Sequence, residues 1–350
     1  MKKQSFFLAF VIGAVTTLTL GGMAQAQKQP WEKVLDRLYP AAKAEGQVTL
    51  YMSSEFPLGS KEGEAKFKKR FPGIEFSFIK LSRSKAPARI ILETRAGRNT
   101  VDGYWDYPET AKAMIDRGLI SKLNPAELTD QPEKWNFMFD HNLPVVGQFI
   151  NTFYYNTKLV SKSELPKRYE DLLDPKWKGK LAMDARGPRG FTHLPLIWGE
   201  EKFWRYIKAL KEQNPIWTRR CTTTMDKVLT GEALIGCTTS SLEKRHKAKG
   251  QPVEYLLLNP VSVKPTILLP IKGSPHPNAI KLVIAWLLSP EGVEAVGKTG
   301  YGLLQPGTGF YETLKALGAE FFLGGKLTID QMIAMGKTRK KIGKTWGIIK

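Results

Sequence analysis

Two kinds of sequence pattern alternate through the first third of the chain. Residues 47–52, 74–80 and 100–104 have the pattern of short strands, whereas the segments between them repeat apolar residues with helical spacing. Strand and helix patterns that alternate in this way are typical of a parallel sheet covered by helices. The pattern therefore predicts an α/β fold.

In open α/β sheets, ligands bind beyond the carboxyl ends of the strands. The residues that follow the three predicted strands are therefore candidate ligand-binding residues: Ser53, Ser54, Glu55, Arg83, Trp105, Asp106 and Tyr107. Among them, the indole and the phenol would give an organic ligand an apolar wall.

Residues 143–156 form a longer extended run, LPVVGQFINTFYYN, which contains Gly147. A strand of this length with a central glycine fits a hinge that crosses between two lobes, and it also fits two strands of one hairpin. A second extended run at 261–271 would cross back. Beyond it the chain is predicted to be helical, with a frayed basic tail from Lys337.

The stretch YEDLLDPKWKGKLAMDARGPRGF, residues 169–191, combines a short strand, a glycine-rich loop and the start of a helix near Phe191. That helix is predicted to be one long helix to Gln213 or a helix pair, interrupted near Gly199. Such a loop directs backbone N–H groups at a ligand, and two arginines add positive charge. The loop supplies four more candidates for a polar or anionic ligand: Arg186, Gly187, Arg189 and Gly190.

Another strand–helix–strand unit follows, with strands predicted at 215–218 and 233–237 that are parallel and adjacent. Cys221 and Cys237 would both follow or end these strands, so a disulfide between them is expected, with two buried thiols as the alternative. The polar segment after the second strand adds three candidate ligand-binding residues: Thr238, Thr239 and Ser240.

The pattern of chemically active residues does not indicate an enzyme. The four histidines lack metal-ligand spacing, and neither a G-x-S-x-G motif nor a phosphate-binding P-loop occurs. Hydroxyls and arginines dominate the candidate site instead, and these groups suit carboxylate or phosphate. We therefore expect no catalytic residue, no metal site and no cofactor, and a small anion as ligand.

The first 26 residues resemble a secretory signal peptide with cleavage after Ala26: a basic start, an apolar run and an A-x-A site. A retained membrane anchor is the alternative. The formal net charge of the whole sequence is +20, but its lysines are dispersed and no nucleic-acid-binding motif is present. Nucleic acid is therefore not expected as a partner.

The segment YEDLLDPKWKGKLAM resembles a signature of bacterial extracellular solute-binding proteins of ABC transporters, in the branch that contains the ferric-ion-binding proteins. VTLYMSSE, NTFYYNTKLV, MDKVLTGEALIG and SPHPNAIKLVIAWLLSPEGVEAVGKTGYGLLQPG agree in order. The resemblance implies a monomeric periplasmic protein that hands a small molecule to an inner-membrane permease.

The implied fold is the two-lobed type II periplasmic binding protein fold. Each lobe would be a mixed, mainly parallel sheet flanked by helices, joined by two crossing hinge strands. We expect residues 27–147 and 264–289 in lobe I, 148–263 in lobe II, and 290–350 as C-terminal helices that pack across the lobes.

The ferric members hold iron with a His, a Glu and a Tyr-Tyr pair. Here the corresponding regions read Tyr51–Glu55, Trp105–Tyr107 and Thr238–Ser241, without a matching residue, so the iron site does not transfer. The loop from Arg186 to Gly190 looks similar to the loop that receives the accompanying anion. Two alternatives remain: ferric iron held by Glu55, Asp106 and Tyr107, and a secreted enzyme on the same scaffold.

Overall fold

The computed structural model describes residues 28–52, 61–82, 85–185, 187–297, 301–322 and 327–348, so the predicted signal peptide lies outside the described residues. The strands are β1 (Gln47–Met52), β2 (Glu75–Lys80), β3 (Gly103–Asp106), β4 (Phe137–Met138), β5 (Leu143–Asn156), β6 (Leu181–Asp184), β7 (Ile216–Thr218), β8 (Ile235–Thr239), β9 (Val253–Leu256) and β10 (Ser262–Pro270).

The α-helices are α1 (Pro30–Glu45), α2 (Lys61–Arg70), α3 (Lys85–Arg95), α4 (Pro108–Ile115), α5 (Pro125–Leu128), α6 (Pro195–Trp198), α7 (Glu200–Glu212), α8 (Cys221–Leu229), α9 (Ser240–Lys247), α10 (Pro277–Leu287), α11 (Pro290–Gly297), α12 (Gly309–Ala316) and α13 (Ile329–Thr345). Within the described ranges, no helix combines the length and the apolarity that crossing a bilayer requires.

The strands form one mixed sheet in the order β2-β1-β3-β10-β5-β8-β6-β7, and β4 and β9 also pair with β5. Pairing is parallel among β1, β2 and β3 and among β6, β7 and β8. The central strands β5 and β10 run antiparallel to each other and to their other neighbours. The α/β class predicted from the sequence is confirmed.

Strand β5 is one continuous strand, and all fourteen of its residues are buried. Its first residues pair with β4, its middle pairs with β10, and its last residues pair with β8 and β9. Since the same strand belongs to both halves of the sheet, the crossing interpretation is confirmed and the hairpin alternative is wrong. The second crossing strand is β10, which also pairs with β3.

Terminal residues and apolar surfaces explain where the helices around the sheet begin, end and pack. Helix α1 begins with Pro30 and ends at Gly46, whose φ of +75° lets the chain turn directly into β1. Helix α10 is apolar around most of its circumference, with eight buried residues, because it packs between α1 and the sheet.

Two large hydrophobic clusters lie along the sheet. The first surrounds β1–β3 and α10, and the second surrounds β6 and α7. Helix α13 contributes Met332 and Met335 to the first cluster and Ile342 to the second, and Trp346, directly after the helix, also packs in the second. The lobe boundaries given above stay a prediction.

Several local predictions need correction. Strand β3 includes Trp105 and Asp106, because both pair with β10, and β8 extends to Thr239, because it pairs with β5. Strand β6 lies between β7 and β8, so those two strands are not adjacent. After the loop, a 3-10 turn precedes α6 and α7, and Gly199 at φ +77° separates these two helices, so the helix-pair alternative is confirmed and the single long helix is wrong.

Candidate functional site

One face of β5 connects the two ends of the predicted site. Side chains alternate between the faces of a strand, so Phe149, Asn151 and Phe153 share one face. Their opposite residues on the neighbouring strands are Lys264 and Ser262 of β10 and Thr239 and Cys237 of β8. We call this surface the Asn151 face; from Phe149 to Phe153 it spans roughly 13 Å.

Tyr107 lies at the first end of the Asn151 face. Its ring centroid is 5.9 Å from that of Phe149, in an edge-on arrangement. The Nζ of Lys264 lies 4.8 Å from the centroid of the Tyr107 ring and also pairs with the carboxylate of Glu109. The ring of Tyr107 therefore forms an aromatic wall that is held by contacts with Phe149 and with the ammonium of Lys264.

Asp106 is engaged by its neighbours in sequence. Its carboxylate accepts hydrogen bonds from the hydroxyl of Tyr104 and, at 2.8 Å, from the backbone N–H of Tyr107. Asp106 is 1% exposed, and Trp105 is fully buried in the first hydrophobic cluster. These contacts fix the turn from β3 into α4, and they make both side chains structural parts of the wall.

The loop after β6 lies at the second end. Gly190 packs against the strand so closely that a Cβ there would lie 3.1 Å from the Sγ of Cys237 and 3.2 Å from the ring of Phe153. Arg189 is half-buried beside it. The structure thus places Gly190 against the Asn151 face, with Arg189 next to it in the chain. The ligand-binding role predicted for the loop stays a prediction.

Gly187 has a different partner. The Nε of Arg339 on α13 donates a hydrogen bond to the carbonyl oxygen of Gly187 at 2.9 Å, and the same guanidinium lies 3.4 Å from Asp184. The backbone of Gly187 is therefore engaged by α13. No helix of useful length begins at this loop, since residues 189–191 form a single 3-10 turn.

Behind the loop, His193 is fully buried and its Nε2 lies 2.7 Å from the carbonyl oxygen of Pro260. Burial lowers the pKa of His193 from its ordinary 6.5 to about 4, so the ring is neutral and donates through Nε2. The hydroxyl of Tyr169 lies 3.3 Å from the carbonyl oxygens of Gly190 and Pro260. This buried network holds the loop in place from behind.

The middle of the face is polar. Asn151 is 3% exposed, its Nδ2 lies 3.4 Å from Ser262 Oγ, and its Oδ1 has no hydrogen-bond partner among the residues that the structure describes. Thr239 is opposite Asn151, and its hydroxyl lies 3.0 Å from that of Ser241. A ligand that reaches this point would meet an amide and hydroxyls.

Thr238 and Ser240 do not lie on the Asn151 face. The Oγ of Ser240 accepts a hydrogen bond from the N–H of Ile150 at 3.3 Å. Thr238 is opposite Thr152, so it points to the other side of the sheet. Of the three polar residues predicted here, only Thr239 lies on the Asn151 face.

Five predicted site residues lie outside the described part of the chain: Ser53, Ser54, Glu55, Arg83 and Arg186.

The disulfide predicted between Cys221 and Cys237 is not present, and both residues are thiols. Cys221 follows the end of β7 after two residues and begins α8, and its Sγ lies 3.6 Å from the carboxylate of Asp184. Cys237 lies inside β8, and burial raises the pKa of its thiol to about 12. The prediction failed because β6 separates the two strands that were expected to be adjacent.

Three residues that sequence reasoning missed lie on or beside the candidate site: Asn151, Lys264 and Arg339. The extended run at 143–156 carried a signal for Asn151, because an amide in a strand predicted to be largely buried must find a polar partner, although Gln148 and Asn156 in the same run gave the same signal. Lys264 gave the same signal in the second extended run. Nothing near Arg339 in sequence indicated a contact with Gly187.

In the described ranges, no group of three or more His, Cys, Asp and Glu side chains is placed to hold a metal ion.

Comparisons with known proteins add the family and the fold. The model of the family "bacterial extracellular solute-binding protein" matches residues 65–315. An uncharacterized protein of Haemophilus influenzae is 25% identical, over 75% of this chain and 79% of its own.

Among solved structures, iron-bound HitA from Pseudomonas aeruginosa matches with a TM-score of 0.67 and 18% identity, covering 86% of this chain and 99% of that one. The periplasmic binding protein AfuA from Actinobacillus pleuropneumoniae, with fructose-6-phosphate bound, matches with a TM-score of 0.59 and 20% identity, over 86% and 97%.

At these identities the likeness to solved structures concerns the fold, which is that of the two-lobed type II periplasmic binding proteins. The family match covers most of the chain and agrees with the crossing strands β5 and β10. The chain therefore belongs to the bacterial extracellular solute-binding proteins, the ligand-capturing components of ABC transporters.

Proposed function

We propose that this protein captures a small anionic solute on the Asn151 face and delivers it to the permease of an ABC transporter for import. The observation that carries the proposal is the position of Asn151, a buried amide midway between the Tyr107 wall and the Arg189 loop. A buried polar group is normally satisfied, and the unpaired Oδ1 of Asn151 supports the proposal that a ligand, or lobe motion that admits one, completes its hydrogen bonding.

The Asn151 amide suits an anion once its orientation is considered. If the amide turns by 180°, Ser262 Oγ donates to Oδ1 and Nδ2 becomes the group that faces the ligand. Thr239 would add a hydroxyl, and the guanidinium of Arg189 would add charge from the loop. Together these groups match a phosphate or a carboxylate better than a bare cation.

Ferric iron remains the alternative ligand, and the solved structure of HitA is described as iron-bound. The local contacts support it less. Two of the three residues proposed as iron ligands are Asp106 and Tyr107, and Asp106 already accepts two hydrogen bonds while Tyr107 lies beside the ammonium of Lys264. An iron site here would have to break these contacts.

The remaining parts of the proposal concern the mature protein. We propose export to the periplasm with cleavage after Ala26, a monomeric state, and closure of lobe I (27–147 and 264–289) on lobe II (148–263). The crossing strands β5 and β10 support this motion, because only they and the C-terminal segment connect the two halves of the sheet. The family consists of binding components of transport, which supports a role without catalysis.

The test is a thermal-shift screen of inorganic phosphate, citrate, fructose-6-phosphate and ferric ion. A ligand at 100 times its dissociation constant should add about 2.7 kcal/mol to the free energy of unfolding. The variant Asn151→Asp keeps the shape of the side chain but adds negative charge. It should abolish stabilisation by an anionic hit, whereas Arg245→Ala, on the exposed side of α9, should leave it unchanged.

The response of Asn151→Asp also distinguishes ferric ion from an anion as the ligand. Stabilisation by ferric ion that persists or grows in Asn151→Asp, with no response to any anion, would replace the anion by iron. An anionic hit that binds equally well to wild type and to Asn151→Asp would show that the Asn151 face is not the binding site.

A further inference from the structure

A half-buried ion pair lies at the Tyr107 end of the Asn151 face. Lys264 of β10 is opposite Phe149 of β5, and its side chain is 15% exposed. Its Nζ pairs with Oε1 of Glu109 and lies 4.8 Å from the centroid of the Tyr107 ring. The pair therefore joins a crossing strand to the first turn of α4, at the wall of the candidate site.

Lys264 can also reach the middle of the face. It is two residues from Ser262 on the same strand, so the two side chains share one face and their Cα atoms are roughly 7 Å apart. The Oγ of Ser262 lies 3.4 Å from Nδ2 of Asn151, the amide at the centre of the face. Because the ammonium ends a flexible four-carbon stem, it can turn from Glu109 towards this point while the backbone stays in place.

The pairing with Lys264 leaves the carboxylate of Glu109 only half satisfied. Its Oε1 accepts from the ammonium, whereas its Oε2 is buried and has no hydrogen-bond partner among the residues that the structure describes. Burying a charged oxygen without a partner costs free energy. The pair is therefore easier to break than one in which both carboxylate oxygens are bonded.

Glu109 has other cations near it. A groove of about 590 Å³ between α4 and α13 is lined by Glu109 and also by Lys337 and Lys340. Within the described ranges neither of these lysines is in an ion pair, whereas two neighbouring cations of the same helix are. Glu109 can therefore leave Lys264 and still face positive charge.

An anion that enters the face meets both charges of the pair. The ammonium of Lys264 attracts it and the carboxylate of Glu109 repels it, and both forces are stronger than in water because the two side chains are partly buried. The repulsion falls when the carboxylate turns away into the groove. The ammonium would then exchange the carboxylate of the protein for the anionic group of the ligand.

On the basis of the proposed capture of an anionic solute, we propose that Glu109 is a resident counter-ion of Lys264 and that the solute displaces it. In the empty site, the carboxylate occupies Lys264. In the loaded site, Lys264 binds the anionic group of the solute beside Asn151, and Glu109 faces the lysines of the groove. Lys264 is then a specificity-determining residue, and Glu109 sets how strongly an anion must bind to displace it.

Isothermal titration calorimetry with inorganic phosphate, citrate and fructose-6-phosphate tests this exchange on the protein cleaved after Ala26. Glu109→Gln removes the competing charge and should tighten binding by roughly threefold to tenfold. Lys264→Met keeps an unbranched side chain but removes the ammonium, and it should weaken binding by about tenfold or more. Adding Glu109→Gln to Lys264→Met should bring no gain, because no ammonium is left to release.

Glu75→Gln is the matched control for net charge. Glu75 pairs with Lys68 at 2.7 Å and begins β2, so it lies at the end of its strand that is remote from the candidate site. Its removal should leave each affinity unchanged. A gain equal to that of Glu109→Gln would overturn the proposal, because net charge alone would then explain both results.

Two results would overturn the exchange and leave the proposed function intact. The first is an anion whose binding is lost in Asn151→Asp but is no tighter in Glu109→Gln than in wild type, which would make the ion pair purely structural. The second is a gain from Glu109→Gln that persists in Lys264→Met, or undiminished binding to Lys264→Met alone. Because the key variant should gain affinity, a folding defect cannot imitate the expected result.

The exchange also makes a prediction for a wild-type protein that binds none of the three anions. Binding to Glu109→Gln in that case would support the exchange, since the resident carboxylate would be masking the site. Absence of binding to both proteins would overturn the exchange together with the proposed function.

Discussion

Gly187 has a φ of +98°, and a Cβ added there would lie 2.2 Å from the carbonyl oxygen of Arg339. From the sequence, this glycine belonged to a loop that approaches a ligand. The contact shows a different requirement, because the backbone of α13 occupies the space that a side chain would need. The residue is a glycine for the sake of packing as well as conformation.

The variant Gly187→Ala should therefore lower the free energy of unfolding by about 3 kcal/mol or more, since backbone strain and a clash with α13 add together. Gly179→Ala is the matched control: its φ is +73°, but nothing lies within 4 Å of the added Cβ. That variant should cost only about 1 kcal/mol. Urea denaturation measures both, and equal losses would contradict the packing explanation.

His193 makes stability depend on pH. Its pKa in the folded protein is about 4 because burial disfavours the charged ring, and in the unfolded chain it returns to about 6.5. As pH falls from 6.5 towards 4, the unfolded state takes up a proton that the folded state refuses. The protein should lose about 3 kcal/mol of stability across this window from His193 alone.

The variant His193→Gln tests this, because the Gln amide can still donate to the carbonyl oxygen of Pro260 but does not titrate. Denaturation midpoints measured between pH 7 and pH 4 should fall less steeply for the variant than for wild type. Identical slopes would mean that another group dominates the acid sensitivity.

At the scale of elements, α13 contrasts most with its prediction. The sequence indicated a frayed basic tail from Lys337, yet the helix continues to Thr345, and Ile342 and Trp346 are buried beyond that point. The indole N–H of Trp346 donates to the carbonyl oxygen of Ile207 at 2.9 Å. Lysines along the exposed side of the helix concealed the apolar residues of its other side.

Because Arg339 of α13 holds the carbonyl oxygen of Gly187, this helix should restrain the ligand loop. Arg339→Ala should speed amide hydrogen exchange in a peptide that covers residues 184–191, relative to wild type. Lys340→Ala changes the next residue, which is exposed, and should leave exchange unchanged. Equal exchange in both variants would show that the loop is held by other contacts, such as those of Tyr169.

The candidate site was predictable from the sequence only where a local pattern carried it. The loop with Arg189 and Gly190 stood out because glycines and arginines follow a short strand. Asn151 did not, because its importance depends on which side of β5 meets Tyr107 and Gly190, and that depends on pairing with distant strands. The same limit explains the failed disulfide prediction.

For the whole molecule, alternating patterns were sufficient for the α/β class and for the two crossing strands. The order β8-β6-β7 was not accessible in this way, because β6 is inserted between two strands that follow it in the chain. Pairing between strands distant in sequence leaves no periodic trace in either strand.

The place of β10 in the sheet has a consequence for the order in which the chain acquires structure. Strand β10 lies between β3 and β5, but it begins at Ser262, long after β3 ends at Asp106. The first part of the chain to emerge from an export channel therefore has an open slot in its sheet that only a late segment fills. Pairing of this kind closes long loops and is slow.

A chain that emerges in this order must keep the position between β3 and β5 open to β10 until residues beyond Pro270 have emerged. A fragment of residues 28–261, which lacks β10 and α10, should show neither a cooperative urea transition nor the near-UV circular dichroism of the intact chain. If that fragment unfolds cooperatively, some part of the sheet is stable without β10. The early residues would then fold well before the last third of the chain has crossed the membrane.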